Sequence, residues 1–366
     1  MADMVRAAVQ TGPRQIELRE FPKPRVGPDD GLLRIEACGI CGSDVESYKG
    51  ALRGPGRGFS FIPGHEPLGI VEEVGERAAA RWGVQPGDRV ALEIIIPCRT
   101  CDDCLIGRYM ACRNRRGGYG VSPVDKEPYL WGGYADYIYL HPDAILHKMR
   151  NDISAEVAVM FNPLGAGVRW ACHLGGTQLG DTVLVLGPGQ RGLAAVIAAK
   201  AVGAGTVIVT GLERDRGKLE LAREFGADHT INVDEEDVVE RVTEITDGRL
   251  ADVVLELTPI AEQPIRDALE AVRHGGRVVL AGLKGGRPMD VVTDRIINKA
   301  ITVVGAYGVD ARAYIEAIRI IESGRFPLEK MHTHTFELAD VARAIETLAG
   351  EVPSEDAVHV AICPDG

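Results

Sequence analysis

Two groups of metal-binding side chains stand out in the chain. The first is Cys38-Gly39-Ile40-Cys41-Gly42-Ser43-Asp44, completed about twenty residues later by Gly64-His65-Glu66. Cys41 and His65 offer a soft thiolate and an imidazole nitrogen, the donors that suit zinc best. Two glycines near Cys41 allow a tight backbone that can turn the thiolate toward a cleft. Ser43 sets a hydroxyl two residues on, within reach of whatever the metal binds. Asp44 can accept a hydrogen bond from the far nitrogen of His65 and fix its tautomer. Taken alone, the same residues also describe two buried cysteines in a turn beside a capped loop histidine.

The second group is Cys98-Arg99-Thr100-Cys101-Asp102-Asp103-Cys104, followed by Cys112. Three cysteines at i, i+3 and i+6, with a fourth eight residues on, can close a tetrahedral four-thiolate zinc site. Such a shell leaves no open position, so its metal is structural. Four of the eight cysteines crowd into this lobe, which points to metal in a reducing compartment and not to a pair of disulfides.

Farther on, 182–186 reads as a buried strand and runs directly into Gly187-Pro188-Gly189-Gln190-Arg191-Gly192 and an apolar helical stretch. Between a strand and a helix, Gly-x-Gly-x-x-Gly is a dinucleotide signature. Its glycines permit the turn and let a pyrophosphate approach the helix N-terminus. A merely tight strand–helix turn is the alternative. The acidic side chain expected some 20 residues past the glycines, to hold the adenosine ribose hydroxyls, is Glu213 or Asp215, which favours NAD. Gly211 at the strand end, with Arg214 and Arg216 beside it, would instead suit the 2′-phosphate of NADP.

The elements that must position these residues follow from the rest of the chain. Its 366 residues suffice for two domains. With 45% hydrophobic and 26% charged residues it reads as an ordinary globular protein. The longest apolar runs are strand-length, so no membrane span is expected. Residues 1–6 lack a signal-peptide pattern, and a cytoplasmic location is the expectation. Asp and Glu number 53 against 41 Lys and Arg, and the net charge of −12 argues against a nucleic-acid partner. Residues 4–96 alternate short β-rich runs with Gly- and Pro-rich turns, ending in a strand at 90–96. From Asn162 the texture changes. A helix is expected over 163–174, strands at 182–186, 206–210, 230–233, 251–257, 277–281 and 302–306, and helices between them. That alternation implies an α/β, doubly wound parallel sheet. Helices over 314–323 and 338–348 and a strand over 358–362 complete the chain.

On these motifs, in this order and spacing, the chain resembles the zinc-containing medium-chain dehydrogenases, among them alcohol, sorbitol and threonine dehydrogenases. The resemblance covers about residues 4–363. It implies a GroES-like, mostly-β catalytic domain formed by 1–163 and 307–366, with a Rossmann NAD(P)-binding domain, 164–306, between them. It implies that Cys41 and His65 hold a catalytic zinc, with Glu66 beside it and in some relatives a ligand. Cys98, Cys101, Cys104 and Cys112 match the structural-zinc ligands, and Ser43 matches the hydroxyl that takes the substrate's proton. Amides near Gly189, Gln190 and Arg191 would hold the pyrophosphate. Two positions depart from the pattern. The third protein ligand, usually Cys, Glu or Asp, is matched by Asn162, a neutral and poorer donor; either Glu66 supplies the missing charge or the site is empty. Glu46 stands where many relatives carry the histidine of a proton relay.

The expected activity is oxidation of a small alcohol, polyols included, to a ketone or aldehyde with NAD(P), in a homodimer or homotetramer paired through 302–306. Two rivals remain at this level: zinc-free reduction of an activated double bond or quinone, and a nucleotide-binding protein that has lost catalysis. Tyr48, Arg53, Arg115, Arg116 and the 50–64 loop would suit a hydroxyl-rich or anionic substrate if they do not simply face solvent.

Overall fold

The computed structural model describes residues 3–51 and 60–364; Arg53 and most of the 50–64 loop lie outside the described residues. The chain divides into two compact units, Met1–Phe161 with His332–Gly366, and Asn162–Met331. Residues 307–331, expected with the catalytic part, fall in the second unit. Their helix, Ala311–Ser323, is tied there by Arg169 to Asp310, His173 to Glu316 at 2.8 Å and Asn162 to Tyr314 at 3.0 Å.

The first unit is built on a sheet whose centre is the antiparallel pair Gly31–Gly39 and Glu66–Val74. Gly39 pairs with Glu66 and Cys38 with Pro67. The loop leaving one strand and the loop entering the other therefore lie at the same end of the sheet, which brings Cys41 toward His65. A Cβ on Gly39 would lie 2.5 Å from a carboxylate oxygen of Glu66, so the glycine leaves room for that side chain. The end of the chain braces the same spot: strand His359–Ile362 pairs Ala361 with Gly39, and the Ile40 N–H donates to Val360 O at 2.9 Å.

The strand expected over 90–96 is split into Arg89–Leu92 and Ile95–Ile96. The break is at Glu93, whose buried carboxylate accepts from Tyr109 Oη at 2.7 Å and lies 2.7 Å from His147 Nε2. A side chain with two internal partners bends the strand inward where a hydrophobic run alone would not.

The second unit holds a six-stranded parallel sheet. In chain order its strands are Thr182–Leu186, Thr206–Gly211, His229–Asn232, Ala251–Glu256, Val272–Leu280 and Thr302–Gly305. Their spatial order, 3-2-1-4-5-6, is that of the Rossmann fold. Val183, Leu184, Val185, Val207, Ile208, Val209, Val254 and Leu255 are wholly buried, as strands covered by helices on both faces must be. Two local readings are corrected. The helix expected over 163–174 is α-helical over Phe161–Gly167 and π-helical over Val168–Leu174. The strand expected over 277–281 starts earlier, as Val272–Leu280, and takes in Gly275 and Gly276, with the register slipping between Ala251 and Val253 of its neighbour.

The glycine loop joins the first strand to helix Gln190–Ala201. Gly187 has φ +108°, which favours glycine, and a Cβ on Gly192 would lie 2.0 Å from Gly187 O. That neighbour is backbone and cannot swing aside. Gly192→Ala is therefore expected to cost about 2 kcal/mol or more and to lower Tm by roughly 5 °C, measured by calorimetry on the full chain. An unchanged Tm would contradict the close packing described here.

Candidate metal centres and dinucleotide loop

Cys41 caps the helix Gly42–Tyr48. Its Sγ accepts the Ser43 N–H at 3.2 Å and lies 2.8 Å from Ser43 Oγ. Asp44, 6% exposed, bridges the two loops: Oδ2 accepts the Cys41 N–H at 3.0 Å, and Oδ1 lies 3.1 Å from His65 Nδ1. A carboxylate on Nδ1 keeps a proton there and turns the Nε2 lone pair toward the thiol. Ser43 Oγ sits 3.4 Å from that Nε2. Burial works against a charged imidazole, yet Asp44 and Cys41 outweigh it and hold the His65 pKa above its ordinary value.

Glu66 is fully buried, and one ligand atom from each of Cys41, His65 and Glu66 lies within 4.8 Å of the others. Thiolate, imidazole and carboxylate together fit zinc. The surroundings are rich in acids that a cation would balance. The buried Cys38 thiol is pushed well up by burial and then by Asp44. The Tyr134 hydroxyl is pushed up by burial and then by Asp44, Cys38 and Glu66. Tyr134 did not stand out in the sequence, and Cys38 did so only as the first residue of the motif, since an apolar-looking position gives no sign of what its polar tip will face.

The four-cysteine lobe fits a closed tetrahedral site. Sγ–Sγ separations are 3.5 Å for Cys101 to Cys104, 3.6 Å for Cys98 to Cys112, 3.8 Å for Cys101 to Cys112 and 3.9 Å for Cys98 to Cys104. A tetrahedron with metal–sulfur bonds of about 2.3 Å has edges of about 3.8 Å. All eight cysteines of the chain are free, and Cys98 and Cys101 N–H groups donate to Cys112 and Cys98 Sγ at 3.4 Å. Hydrogen bonds from the backbone and hydroxyl of Thr100 draw the Cys98 thiol down to about 6. Burial, with its neighbours Cys101 and Cys112, pushes Cys104 up to about 12. One thiol ionises readily and opposes the next, so four thiolates here need a dication to hold them.

In the second unit, Gly189 is the N-cap of its helix, and a Cβ on it would meet nothing within 4 Å; the backbone is open to an approaching pyrophosphate. Gln190 is buried as the first helical residue. Arg191 turns aside: it donates to Asn162 Oδ1 at 3.2 Å and stacks over Trp170, 5.3 Å from the ring centroid. Asn162 Nδ2 donates to Tyr314 Oη at 3.0 Å. Both ends of the Asn162 amide are thus engaged inside the second unit. Glu213 and Asp215 lie in the turn after Gly211, where the sequence spacing put them.

Comparison with known proteins matches residues 27–151 to the alcohol dehydrogenase GroES-like domain and residues 192–323 to the zinc-binding dehydrogenase model. A Mycobacterium tuberculosis protein named probable alcohol dehydrogenase is 45% identical over 99% of both chains. The sorbitol dehydrogenase of Bacillus subtilis is 33% identical over 93% of each. An alcohol dehydrogenase structure from Thermotoga maritima superposes with a TM-score of 0.86 at 28% identity, covering 99% of both chains. A zinc-binding dehydrogenase structure from Sinorhizobium meliloti, solved with NADP bound, has a TM-score of 0.85 at 26% identity over 99% of this chain and 100% of that one. Matched in both halves by these models and along nearly its whole length by such relatives, the chain belongs to the zinc-containing medium-chain dehydrogenases, oxidoreductases that act on CH–OH groups.

Proposed function

We propose that the chain interconverts a small alcohol and its ketone or aldehyde with a nicotinamide dinucleotide, at a zinc held by Cys41, His65 and Glu66. The observation that carries this reading is the bridging carboxylate of Asp44, which orders Cys41 and His65 together. When bound, zinc supplies a Lewis acid that lowers the pKa of an alcohol, and the nicotinamide supplies the hydride acceptor. Glu66 brings the anionic charge that Asn162 lacks. Ser43 Oγ, 2.8 Å from Cys41 Sγ and 3.4 Å from His65 Nε2, is the chain's own hydroxyl for taking the alcohol proton. Asp44 keeps the His65 proton on Nδ1, which leaves Nε2 to hold the metal. Cys98, Cys101, Cys104 and Cys112 hold a second, structural zinc. Gly187, Gly189, Gln190, Arg191 and Gly192 receive the pyrophosphate, with the Arg191 side chain set aside by Asn162 and Trp170.

We also infer a homo-oligomer. Strand Thr302–Gly305 is an edge of its sheet, and Val303, Tyr307, Ile297, Val292 and Leu283 around it are exposed. An apolar sheet edge of this kind is suited to a second copy of itself across a two-fold axis. Eight free cysteines and a thiolate cluster favour a reducing, cytoplasmic setting; no helix among the described residues is long and apolar enough to cross a membrane.

Elemental analysis is expected to give two zincs per chain, one after Cys41→Ala with turnover lost, whereas Cys104→Ala is expected to lower thermal stability. A Cys41→Ala protein with full turnover would overturn the catalytic centre. Ser43→Ala is expected to reduce kcat/KM for alcohol oxidation by about 100-fold or more with zinc content unchanged, while Asp44→Asn weakens zinc affinity by about 10- to 100-fold. Light scattering is expected to show Val303→Lys shifted toward the monomer relative to the parent chain.

A further inference from the structure

We propose that the second unit carries a binding site for a monoanionic carboxylate with a short apolar tail. The tail would enter a cavity walled by Cys172, Ala198, Ile320 and Phe326, and the head would meet Arg319 and Arg325 at its mouth. The site shares no residue with the proposed metal centre or the glycine loop, so the inference goes beyond the function proposed above.

Three segments build this cavity, whose volume is about 280 Å³. Val168 and Cys172 face it from the π-helical stretch Val168–Leu174, a kind of helix that is rare and concentrates at functional sites. The C-terminal end of helix Gln190–Ala201 offers Ala198 and Ala201, whose small side chains leave the space open. Helix Ala311–Ser323 contributes Glu316, Arg319, Ile320 and Ser323, a stripe at i, i+3, i+4 and i+7. Its C-cap Gly324, at φ +63°, turns the chain so that Arg325 and Phe326 complete the lining. Ser323 Oγ fixes that turn, accepting the Arg325 N–H at 3.3 Å and donating to Ile320 O at 2.7 Å. An apolar cavity of about 150 Å³ holds benzene, so this one has room for a chain of roughly eight carbons.

The other polar groups of the lining are already engaged. The Cys172 thiol donates to Ala198 O at 3.7 Å. Burial raises the Glu316 carboxyl pKa, but His173 at 2.8 Å and Arg312 at 3.1 Å outweigh it and hold the group below its ordinary range. Arg319 and Arg325 are different. Both are exposed, and neither guanidinium has an ion pair or hydrogen bond with any described residue; Arg325 only lies over Phe326, 5.6 Å from the ring centroid. The lining thus sets two cations against one carboxylate. Nearby charges do not remove that surplus: Arg312 and Glu322 on the same helix balance each other, and Lys200 beside Ala201 is paired with Asp228 at 2.7 Å. One excess positive charge matches a carboxylate better than a phosphate of about −1.5 to −2 charges, and a guanidinium fork takes both carboxylate oxygens. The C-terminal ends of two helices favour cations here, yet they give neither guanidinium an acceptor and do not account for the apolar space beside them.

Isothermal titration calorimetry of the full chain with octanoate tests this, with acetate as the probe that lacks the tail. Octanoate is expected to bind once per chain, about a hundredfold tighter than acetate or more, and less tightly as salt is raised. Saturating NADH and Cys41→Ala should leave that affinity unchanged. Replacing both arginines, Arg319→Ala with Arg325→Ala, should weaken binding about tenfold or more, whereas Arg319→Lys with Arg325→Lys keeps the charge and most of the affinity. Ala201→Leu, which fills the cavity, should abolish binding while Tm and NADH affinity stay at the parent values. Competition by NADH, or loss of binding in Cys41→Ala, would put octanoate in the proposed active site and overturn the inference. Affinity untouched by the arginine replacements or by Ala201→Leu, or no binding at millimolar octanoate, overturns it equally. The proposed alcohol oxidation is judged by turnover and stands or falls apart from these outcomes.

Discussion

One carboxylate organises the candidate metal centre. Asp44 is buried, and each of its oxygens is spent on a different loop, one on the Cys41 N–H and one on His65 Nδ1. A buried carboxylate is tolerated only where such partners satisfy it. The same two bonds fix the direction in which a thiolate and an imidazole point. Stability and ligand placement are therefore one interaction, and loosening it for either purpose disturbs both. The demand runs backward into the fold. Two loops can share one carboxylate only if the strands that carry them end side by side, and the register of Gly39 on Glu66 provides that.

The two candidate metal centres use cysteine in opposite ways. In the lobe, four sulfurs at tetrahedral-edge spacing enclose a volume with no remaining face. At Cys41 the donors differ in kind, and the Ser43 hydroxyl lies beside them. A closed thiolate shell holds a fold together, whereas a mixed and incomplete one leaves room for a reacting molecule. Composition alone separates these roles, because the spacing i, i+3, i+6 can be read without knowing any long-range contact.

Much else was legible for the same reason. The glycine loop, the strand–helix alternation and the motif order depend on local spacing, and the six-stranded sheet follows from them. What escaped depended on contacts distant in sequence. The split at Glu93 is set by His147 and Tyr109, residues 54 and 16 positions away. The allocation of 307–331 rests on bonds such as Asn162 to Tyr314, across 152 positions, which no periodicity announces. Tyr134 and Cys38 are core residues, and only the fold shows that their polar ends face acids.

Asn162 is the clearest case of a residue whose meaning changes once its neighbours are known. Read in the sequence, it is a poor substitute for an anionic ligand, and Arg191 is one of the loop positions whose amides are expected at the pyrophosphate. In the structure they are partners, Oδ1 accepting from the guanidinium while Nδ2 donates to Tyr314. A carboxylate at 162 would lose the donor that Tyr314 receives, and a cysteine would be too short and too weak an acceptor for Arg191. An amide, which both accepts and donates, is the side chain that satisfies the pair. The departure at 162 and the arginine in the loop thus form a single arrangement.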